Sequence, residues 1–253
     1  MASTSPAKIY LGSKKRVLET GDTPPAKIQK SMSRSSRLNN DSALNAAKVH
    51  PFFAKPAKPV ETGPFRWESP FGATKSCLHG VNLEPKSSTK VAALDLDGTV
   101  IVQSFNGVDF RWWNKCVPGK LAELSKEGYS IVFFSNQAGL KSDLTRDKWK
   151  KKVGSIAAAL PDVPFRIFAA LKKDKYRKPD VGMWEELETL FAADNVEIDK
   201  SASFFVGDAA GRPKTAKREK DFHDSDKEWA AAVGIPFFTP EEYFLGEPSE
   251  SKS

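Results

Sequence analysis

The sequence is poor in cysteine and histidine, and it contains no long apolar run. Its 253 residues include two cysteines and three histidines, His50, His79 and His223. Two cysteines cannot build the disulfide framework of a small secreted domain, and the histidines lack the spacing of metal ligands. No stretch approaches the roughly eighteen consecutive apolar residues that span a bilayer, and the amino terminus lacks the apolar segment of a secretory signal. We therefore expect a soluble intracellular protein without membrane association.

Positive charge is concentrated in the first fifty residues. They contain nine Lys and Arg but three Asp and Glu, whereas the remaining chain has thirty against twenty-nine. The segment is also rich in Ser, Pro and Asn and poor in aromatic residues, so it cannot bury enough apolar surface to offset the entropy of ordering. We predict a disordered basic tail over 1–58, a folded domain over 59–246 and a disordered carboxyl terminus over 247–253.

Two basic clusters in this tail resemble a two-part nuclear import signal. Lys14, Lys15 and Arg16 form the first cluster, and Lys27 and Lys30 follow about ten residues later. Short basic clusters of this kind serve either import or non-specific attraction to nucleic acid. The Arg- and Ser-rich stretch "SMSRSSRLNN" is also compatible with a mitochondrial address. We predict nuclear localisation with a minor mitochondrial pool.

From about residue 60, apolar runs alternate with amphipathic segments, as in sheets built from βαβ units. Strands are predicted at 90–96, 130–136, 165–171 and 202–208, with a short last strand in "PFFTP" and a β-rich lead-in over 65–82. Helices are predicted at 118–129, 145–159, 179–192 and 224–234. The pattern predicts an α/β domain whose parallel sheet is flanked by helices.

Polar residues stand where the predicted strands end. Asp95 and Asp97 follow the first strand, Ser135 and Asn136 end the second, and Asp208 ends the fourth. Lys178 opens the helix after the third strand. Because the carboxyl ends of parallel strands meet at one edge of a sheet, these side chains should converge there.

This mixture of residues suits phosphoryl transfer from a monoester. Asp95 can attack phosphorus to form an aspartyl-phosphate, and Asp97 can protonate the leaving oxygen and then activate water. Asp208, a carboxylate oxygen of Asp95 and the backbone carbonyl of Asp97 are hard oxygen ligands for Mg²⁺. Ser135 and Lys178 would hold the phosphate oxygens, and Lys178 would also offset the packed carboxylates.

Four segments carry a family resemblance. "DLDGT", "FFSNQ", the Lys of "RKPDVGMW" and "FVGDAAGRP" resemble, in order, the four motifs of the haloacid dehalogenase superfamily of phosphatases. More narrowly, "SNQAGL", "KPDVGMW", "FVGDAAGRP", "DFHDSD" and "GIPFFTPEEYF" resemble the phosphatase domain of the polynucleotide kinase 3′-phosphatase family over roughly 60–245. The resemblance implies a haloacid dehalogenase-like fold and Mg²⁺-dependent removal of 3′-phosphates from DNA ends during repair. Asn136 and Arg212, which belong to these motifs, are expected to bind the substrate.

Two absences refine this expectation. No G-x-x-x-x-G-K-[ST] run exists in the 253 residues, and the nearest string, "GATKS" at 72–76, lacks the Gly before Lys75. We therefore expect no 5′-kinase activity, as in the stand-alone fungal 3′-phosphatases that the chain resembles. The segment from Thr99 to Phe134 is too short for a large cap domain, and an open site admits a polymer end. The expected partners are DNA ends bearing a 3′-phosphate and DNA repair proteins, and we expect a monomer.

Two other functions are compatible with the same residues. One is a phosphatase acting on a small molecule such as a sugar phosphate, which would use the same chemistry. The other is a non-catalytic module that binds DNA ends, which would not need Asp95, Asp97, Lys178 and Asp208, and all four are present.

Several further side chains have both a structural and a functional interpretation. Asp221, Asp224 and Asp226 are predicted as solvated helix-capping acids rather than indirect metal contacts. The aromatic residues that follow the first motif are predicted to belong to the core rather than to stack on bases: Phe105, Phe110, Trp112 and Trp113. The basic residues near the predicted edge are expected to be solvated rather than to follow a phosphate backbone: Arg111, Arg166, Lys172, Lys173, Lys175, Arg177, Lys214, Lys217 and Arg218.

Overall fold

The computed structural model describes residues 64–102, 109–215 and 218–249, all within one compact unit, Ala57–Ser253. The predicted basic tail with its import signal lies outside the described residues, as do Phe105, Lys217 and the end of the predicted carboxyl-terminal segment. In the described part of the chain, no helix combines the length and the apolar character needed to cross a membrane.

One seven-stranded sheet organises the described residues, with the spatial order β1-β2-β5-β4-β3-β6-β7. The strands are β1 (Phe65–Trp67), β2 (Cys77–Asn82), β3 (Val91–Leu94), β4 (Ser130–Asn136), β5 (Phe165–Ala170), β6 (Phe204–Val206) and β7 (Phe237–Phe238). The last five are parallel to their neighbours, whereas β2 is antiparallel to β5 and β1 is antiparallel to β2. The predicted α/β class with a central parallel sheet is confirmed, and the β-rich lead-in forms its antiparallel edge.

The parallel strands are apolar on both faces because helices cover both faces. In β3, Ala92 and Leu94 belong to one buried cluster and Val91 and Ala93 to the other, which is the alternation expected of a strand. The sheet therefore lies between two hydrophobic layers, and its interior has no room for solvated polar groups.

Five α-helices flank the sheet: α1 (Val117–Lys126), α2 (Asp143–Ala158), α3 (Gly182–Ala193), α4 (Ser225–Val233) and α5 (Pro240–Leu245). Side chains of α1 and α2 pack into the first cluster, and those of α3 and α4 pack into the second. The predicted helix 179–192 begins three residues late, because the turn at Pro179 precedes it, and the predicted helix 118–129 ends early, before Gly128 at φ +86°. The predicted strand 202–208 is shorter, since a 3-10 helix occupies Lys200–Ala202.

Helix α5 was not expected from the sequence, although a local signal for it exists. The Thr239 hydroxyl accepts a hydrogen bond from the Glu242 backbone amide, and the Glu242 carboxylate accepts one from the Thr239 amide at 2.7 Å. This reciprocal capping box, with Pro240 in the first turn, is a standard helix start. The predicted last strand "PFFTP" therefore ends at Phe238, and the chain turns into a helix at Pro240.

Candidate active site

A cavity of about 820 Å³ lies at the carboxyl edge of the parallel strands. Its lining includes Asp95 and Asp97 after β3, Ser135 at the end of β4, Lys178 before α3, and Asp208 after β6. Asn136 also lines it. The structure thus brings together all the predicted site residues except Arg212.

Lys178 is at the centre of this site. Its ammonium group donates to Asp95 Oδ1 at 2.6 Å and to the Phe134 carbonyl at 2.8 Å, and it forms an ion pair with Asp226 Oδ1 at 2.7 Å. An ammonium has three protons, so these three acceptors satisfy it. Its side chain is only 1% exposed, and the ion pair holds the Asp95 carboxylate in one orientation.

Asn136 positions the Lys178 backbone. Its side-chain amide donates to the Lys178 carbonyl at 3.0 Å, and its side-chain oxygen accepts from the Lys178 amide at 3.0 Å. This paired contact ties the end of β4 to the peptide that carries the lysine. The amide is already used in this way, so the predicted contact of Asn136 with substrate remains a prediction.

Asp226 is the site residue that sequence reasoning missed. It was predicted as a solvated capping acid, but it lies in the first turn of α4, is 2% exposed and contacts Lys178. Its Oδ2 also accepts from the Ala209 backbone amide at 3.1 Å. Asp224 at the helix start is exposed and makes no side-chain cap. Three nearby acids were equivalent on sequence, and only helix phase selects the one that points inward.

The acids of this site outnumber its cations. Oxygen atoms of Asp95, Asp208 and Asp226 lie within 4.8 Å of one another, so three carboxylates face the single ammonium of Lys178 and leave two negative charges when all are ionised. Burial, with Asp226 nearby, raises the pKa of Asp208 to about 7. Burial also raises the pKa of Asp95, and the Lys178 ammonium opposes that rise. A bound cation would relieve this repulsion.

Two glycines leave space for these acids. A Cβ at Gly98 would lie 2.4 Å from Asp208 Oδ2, and one at Gly207 would lie 2.5 Å from Asp226 Oδ2. Gly98 also has φ +99°, a conformation that L-residues rarely adopt. The backbone therefore approaches the acid cluster more closely than any side chain would permit.

Asp97 is held by a residue that sequence reasoning did not assign. The Gln137 side-chain amide donates to Asp97 Oδ2 at 2.6 Å and to Ser135 Oγ at 2.9 Å. Burial raises the pKa of Asp97, while the positive charge of Lys152 and the Gln137 hydrogen bond oppose the rise. A raised pKa favours a carboxyl group that can donate a proton. Gln137 follows the motif serine by two positions, which is the signal that was available.

Arg212 does not line the cavity. Its guanidinium donates to Asp221 Oδ2 at 2.8 Å, to Glu241 Oε2 at 2.8 Å and to the Asp208 carbonyl at 3.2 Å. It therefore joins the segment after β6 to helix α5 behind the site. The predicted direct contact of Arg212 with substrate phosphates is not what this arrangement favours, because carboxylates already occupy the guanidinium.

The remaining predicted side chains fall into separate places. Phe110, Trp112 and Trp113 pack against the first hydrophobic cluster, in agreement with a core role. Arg177 lines the cavity, whereas Lys175, Lys214 and Arg218 pair with acids elsewhere. The cavity has other cations that were not singled out, Lys148, Lys152 and Lys220, and the 94% exposed ring of Phe222.

Comparison with known proteins gives relatives that share this segment. The chain is 40% identical over 169 residues to the bifunctional polynucleotide phosphatase/kinase of Schizosaccharomyces pombe, covering 64% of this chain and 39% of that protein. It is 39% identical over 160 residues to an uncharacterized 20.8 kDa protein of Autographa californica nuclear polyhedrosis virus, covering 61% and 85%. It is 35% identical over 181 residues to polynucleotide 3′-phosphatase ZDP of Arabidopsis thaliana, covering 62% and 24%.

The aligned segment is therefore less than half of the two named enzymes. Residues 90–244 match the family described as polynucleotide kinase 3 phosphatase, and they contain every residue of the candidate site. That match spans more than half of the 253 residues. The chain belongs to the polynucleotide kinase 3 phosphatase family.

Proposed function

We propose that this chain is a Mg²⁺-dependent polynucleotide 3′-phosphatase that acts on DNA strand-break ends in repair. The observation that carries the proposal is the cluster in which Lys178 pairs with Asp95 and Asp226 beside Asp208, with Asp97 held by Gln137. Membership of the family supports the choice of substrate, and the relatives' names refer to polynucleotide ends.

In the first half-reaction, an oxygen of the Asp95 carboxylate attacks phosphorus while the bond from phosphorus to the 3′-oxygen breaks. Asp97 gives its proton to the departing oxygen, which leaves as a 3′-hydroxyl. Lys178 holds Asp95 in position through the contact at 2.6 Å. The products of this step are the free DNA end and a phosphorylated Asp95.

In the second half-reaction, the Asp97 carboxylate removes a proton from a water molecule. The resulting hydroxide attacks phosphorus, and the bond between phosphorus and Asp95 breaks. Inorganic phosphate leaves, Asp95 regains its carboxylate, and Asp97 is protonated again. Gln137 keeps Asp97 directed at the cavity through both steps with its contact at 2.6 Å.

The residues present fit a magnesium ion. Asp95, Asp208 and Asp226 supply hard oxygen ligands within 4.8 Å of one another, and the two glycines leave the space beside them open. Asp226 joins the ligands expected from the sequence. When bound, the ion would neutralise the non-bridging oxygens of the phosphoryl group.

The surroundings of the cavity favour a polymer as substrate. Among the described residues, no inserted domain covers the cavity, and its lining includes the exposed ring of Phe222 and exposed Lys148. Lys152, Arg177 and Lys220 add positive charge. Basic grooves with exposed aromatic rings bind single-stranded nucleic acid through phosphates and stacked bases.

The test compares phosphate release from four substrates at equal concentration: a 3′-phosphorylated oligonucleotide, its 5′-phosphorylated isomer, a sugar phosphate and a nucleoside 3′-phosphate. We expect the first to be preferred and its turnover to require Mg²⁺. Faster release from the sugar phosphate would contradict the proposal and favour a small-molecule phosphatase. Binding without release from any substrate would favour a non-catalytic module.

Asp95→Asn is the matched negative control, and Asp162→Asn, an exposed acid with the same change of charge, is the positive control. The first should lose turnover while the second keeps it. We expect no phosphate transfer from ATP to 5′-hydroxyl ends, because the 253 residues contain no P-loop.

We also propose that the protein acts in the nucleus, with a minor mitochondrial pool, as a monomer that meets other repair proteins at DNA ends. The basis is the pair of basic clusters in residues 14–30. A fluorescent fusion in which Lys14, Lys15 and Arg16 are changed to Ala should redistribute to the cytoplasm. Unchanged nuclear signal would assign these residues to another role.

A further inference from the structure

A second cavity, of about 520 Å³, lies next to the active-site cavity. Leu140 lines both cavities. In the loop that precedes α2, Gln137 and Gly139 line the active-site cavity, whereas Ala138 and Lys141 line the second. One short loop, residues 137–141, therefore separates the two spaces, and a strand leaving the first can cross it into the second.

The second cavity is strongly basic. Two acids line it, Asp143 and Asp147, and one of them, Asp143, pairs with Arg146. Five cations line it: Lys75, Lys141, Arg146, Lys150 and Lys172. Five positive and two negative charges leave an excess of three positive charges.

Three of these cations are available for a ligand. Lys75, Lys141 and Lys172 are exposed, and across residues 64–102, 109–215 and 218–249 the ion pairs of exposed lysines involve other residues, such as Lys120, Lys200 and Lys214. The Lys150 ammonium lies 5.3 Å above the Trp67 ring, which fixes it at the cavity wall. The positive charge is therefore exposed and only partly balanced.

The turn that presents Lys75 has an uncommon conformation. Lys75 has φ +51°, and its amide donates to the Gly72 carbonyl at 2.9 Å. A lysine in the left-handed region costs free energy and is a reason to look for a function. This turn is the "GATKS" segment, which is not a P-loop but does direct a lysine to a basic cavity.

We propose that this basic cavity binds the phosphodiester backbone of the DNA strand that carries the 3′-phosphate, a few nucleotides away from its end. The proposal rests on the proposed function and extends it: the end of the strand occupies the active-site cavity, and the strand crosses residues 137–141. The positive excess matches a polyanion, and the shared lining of Leu140 makes the path continuous. Substrate length, rather than the terminal nucleotide alone, then sets affinity.

The test uses a triple variant, Lys75→Gln, Lys141→Gln and Lys172→Gln, in the full chain. Its matched control, Lys86→Gln, Lys126→Gln and Lys200→Gln, removes the same charge from exposed lysines that do not line either cavity. We measure kcat/KM at low salt on a 3′-phosphorylated dinucleotide and on a single-stranded 3′-phosphorylated 12-mer.

On the 12-mer, we expect kcat/KM of the groove variant to fall by about tenfold or more, and its dependence on salt to weaken by about 0.7 per lost phosphate contact. On the dinucleotide, which cannot reach the second cavity, the loss should be much smaller. The control triple variant should match the wild type on both.

Three results would overturn the proposal. Equal losses on both lengths would show that the lysines act at the strand end, and equal losses in the control would show a general charge effect. A loss confined to duplex ends would assign the cavity to the complementary strand. By contrast, a wild-type protein that releases no phosphate from either oligonucleotide would refute the proposed function itself.

Discussion

Two clusters in the molecule each bind one buried cation with two carboxylates, yet they differ in charge balance. In the first, Lys178 contacts Asp95 and Asp226, and Asp208 adds a third acid. In the second, Arg212 contacts Asp221 and Glu241, as the next paragraph describes. Both clusters draw on the segment between β6 and α4.

Arg218 lies 3.9 Å from Asp221, so the Arg212 cluster contains two cations and two acids and is neutral. The Lys178 cluster keeps two uncompensated negative charges. A balanced cluster can remain closed and stabilise a loop, whereas an unbalanced one needs a further cation. The difference indicates that the Lys178 cluster is built for a ligand and the Arg212 cluster for holding the segment in place.

Replacing the nucleophile should break the first cluster's function most completely. In Asp95→Asn we expect phosphate release to fall by about 10⁴-fold or more, because no aspartyl-phosphate can form. The folded state should be retained, since the substitution removes one of three mutually repelling carboxylates. Single-turnover phosphate release and urea unfolding measure the two effects, and intact turnover would remove Asp95 from the nucleophile role.

Asp226→Asn should have the next largest effect. The change removes one acid from the metal site and one charged acceptor from Lys178. We expect Mg²⁺ affinity to fall by about 10- to 100-fold, measured by titrating activity with Mg²⁺. Asp224→Asn, two positions earlier and exposed, is the matched control. Equal responses of the two variants would return Asp226 to the class of solvated capping acids.

Arg212→Met should affect stability more than chemistry. The substitution leaves Asp221 buried without its main partner, and we expect a loss of about 3 kcal/mol in the free energy of unfolding. With the protein kept folded at low temperature, kcat should change little. A large rise in KM with unchanged stability would instead support the direct contact with substrate expected from the sequence.

His79 sharpens the comparison, because it is a buried ionisable group outside both clusters. Burial, aided by Arg166, lowers its pKa to about 4, and it stacks on Phe71 and Phe168. The unfolded chain takes up the proton near pH 6.5, whereas the folded state does so only near pH 4. The stability contributed by neutral His79 is therefore lost as pH falls through this range.

Between pH 7 and pH 5 we expect this group to cost about 2 kcal/mol of the free energy of unfolding. His79→Phe keeps the aromatic stack and removes the titration, so its stability should fall less steeply over the same range. Urea unfolding of both proteins at pH 7, 6 and 5 measures the difference. Parallel curves would show that His79 does not titrate differently in the folded state.

Much of the fold was predictable because its signals are local. The strands around Asp95 and Ser135 are short apolar runs, and strand order along a parallel sheet places their carboxyl ends at one edge. Helix α5 was missed although its capping box is equally local, because the apolar residues before it resembled a strand that continued. Element boundaries failed where turns, such as the one at Pro179, precede a helix.

The site was only partly predictable for a different reason. Asp95, Asp97 and Asp208 were identifiable because each follows a strand, whereas Asp226 lies on a helix next to two similar acids. Arg212 was placed at the substrate because it follows Asp208 by four residues, yet its partner Glu241 comes from α5, 29 residues away. Proximity in sequence does not reveal which of two carboxylate-rich places a cation will enter.

By itself, the sequence determined the α/β class, the chemical types at the sheet edge and the order in which they occur, since these depend on apolar periodicity and on strand ends. Only the tertiary structure decided which acids share Lys178, which cation remains balanced behind the site, and that a basic cavity adjoins it. The physical reason is that charge compensation in a buried site depends on distances of a few ångströms between segments far apart in the chain. Those distances are set by packing of the whole sheet and its helices.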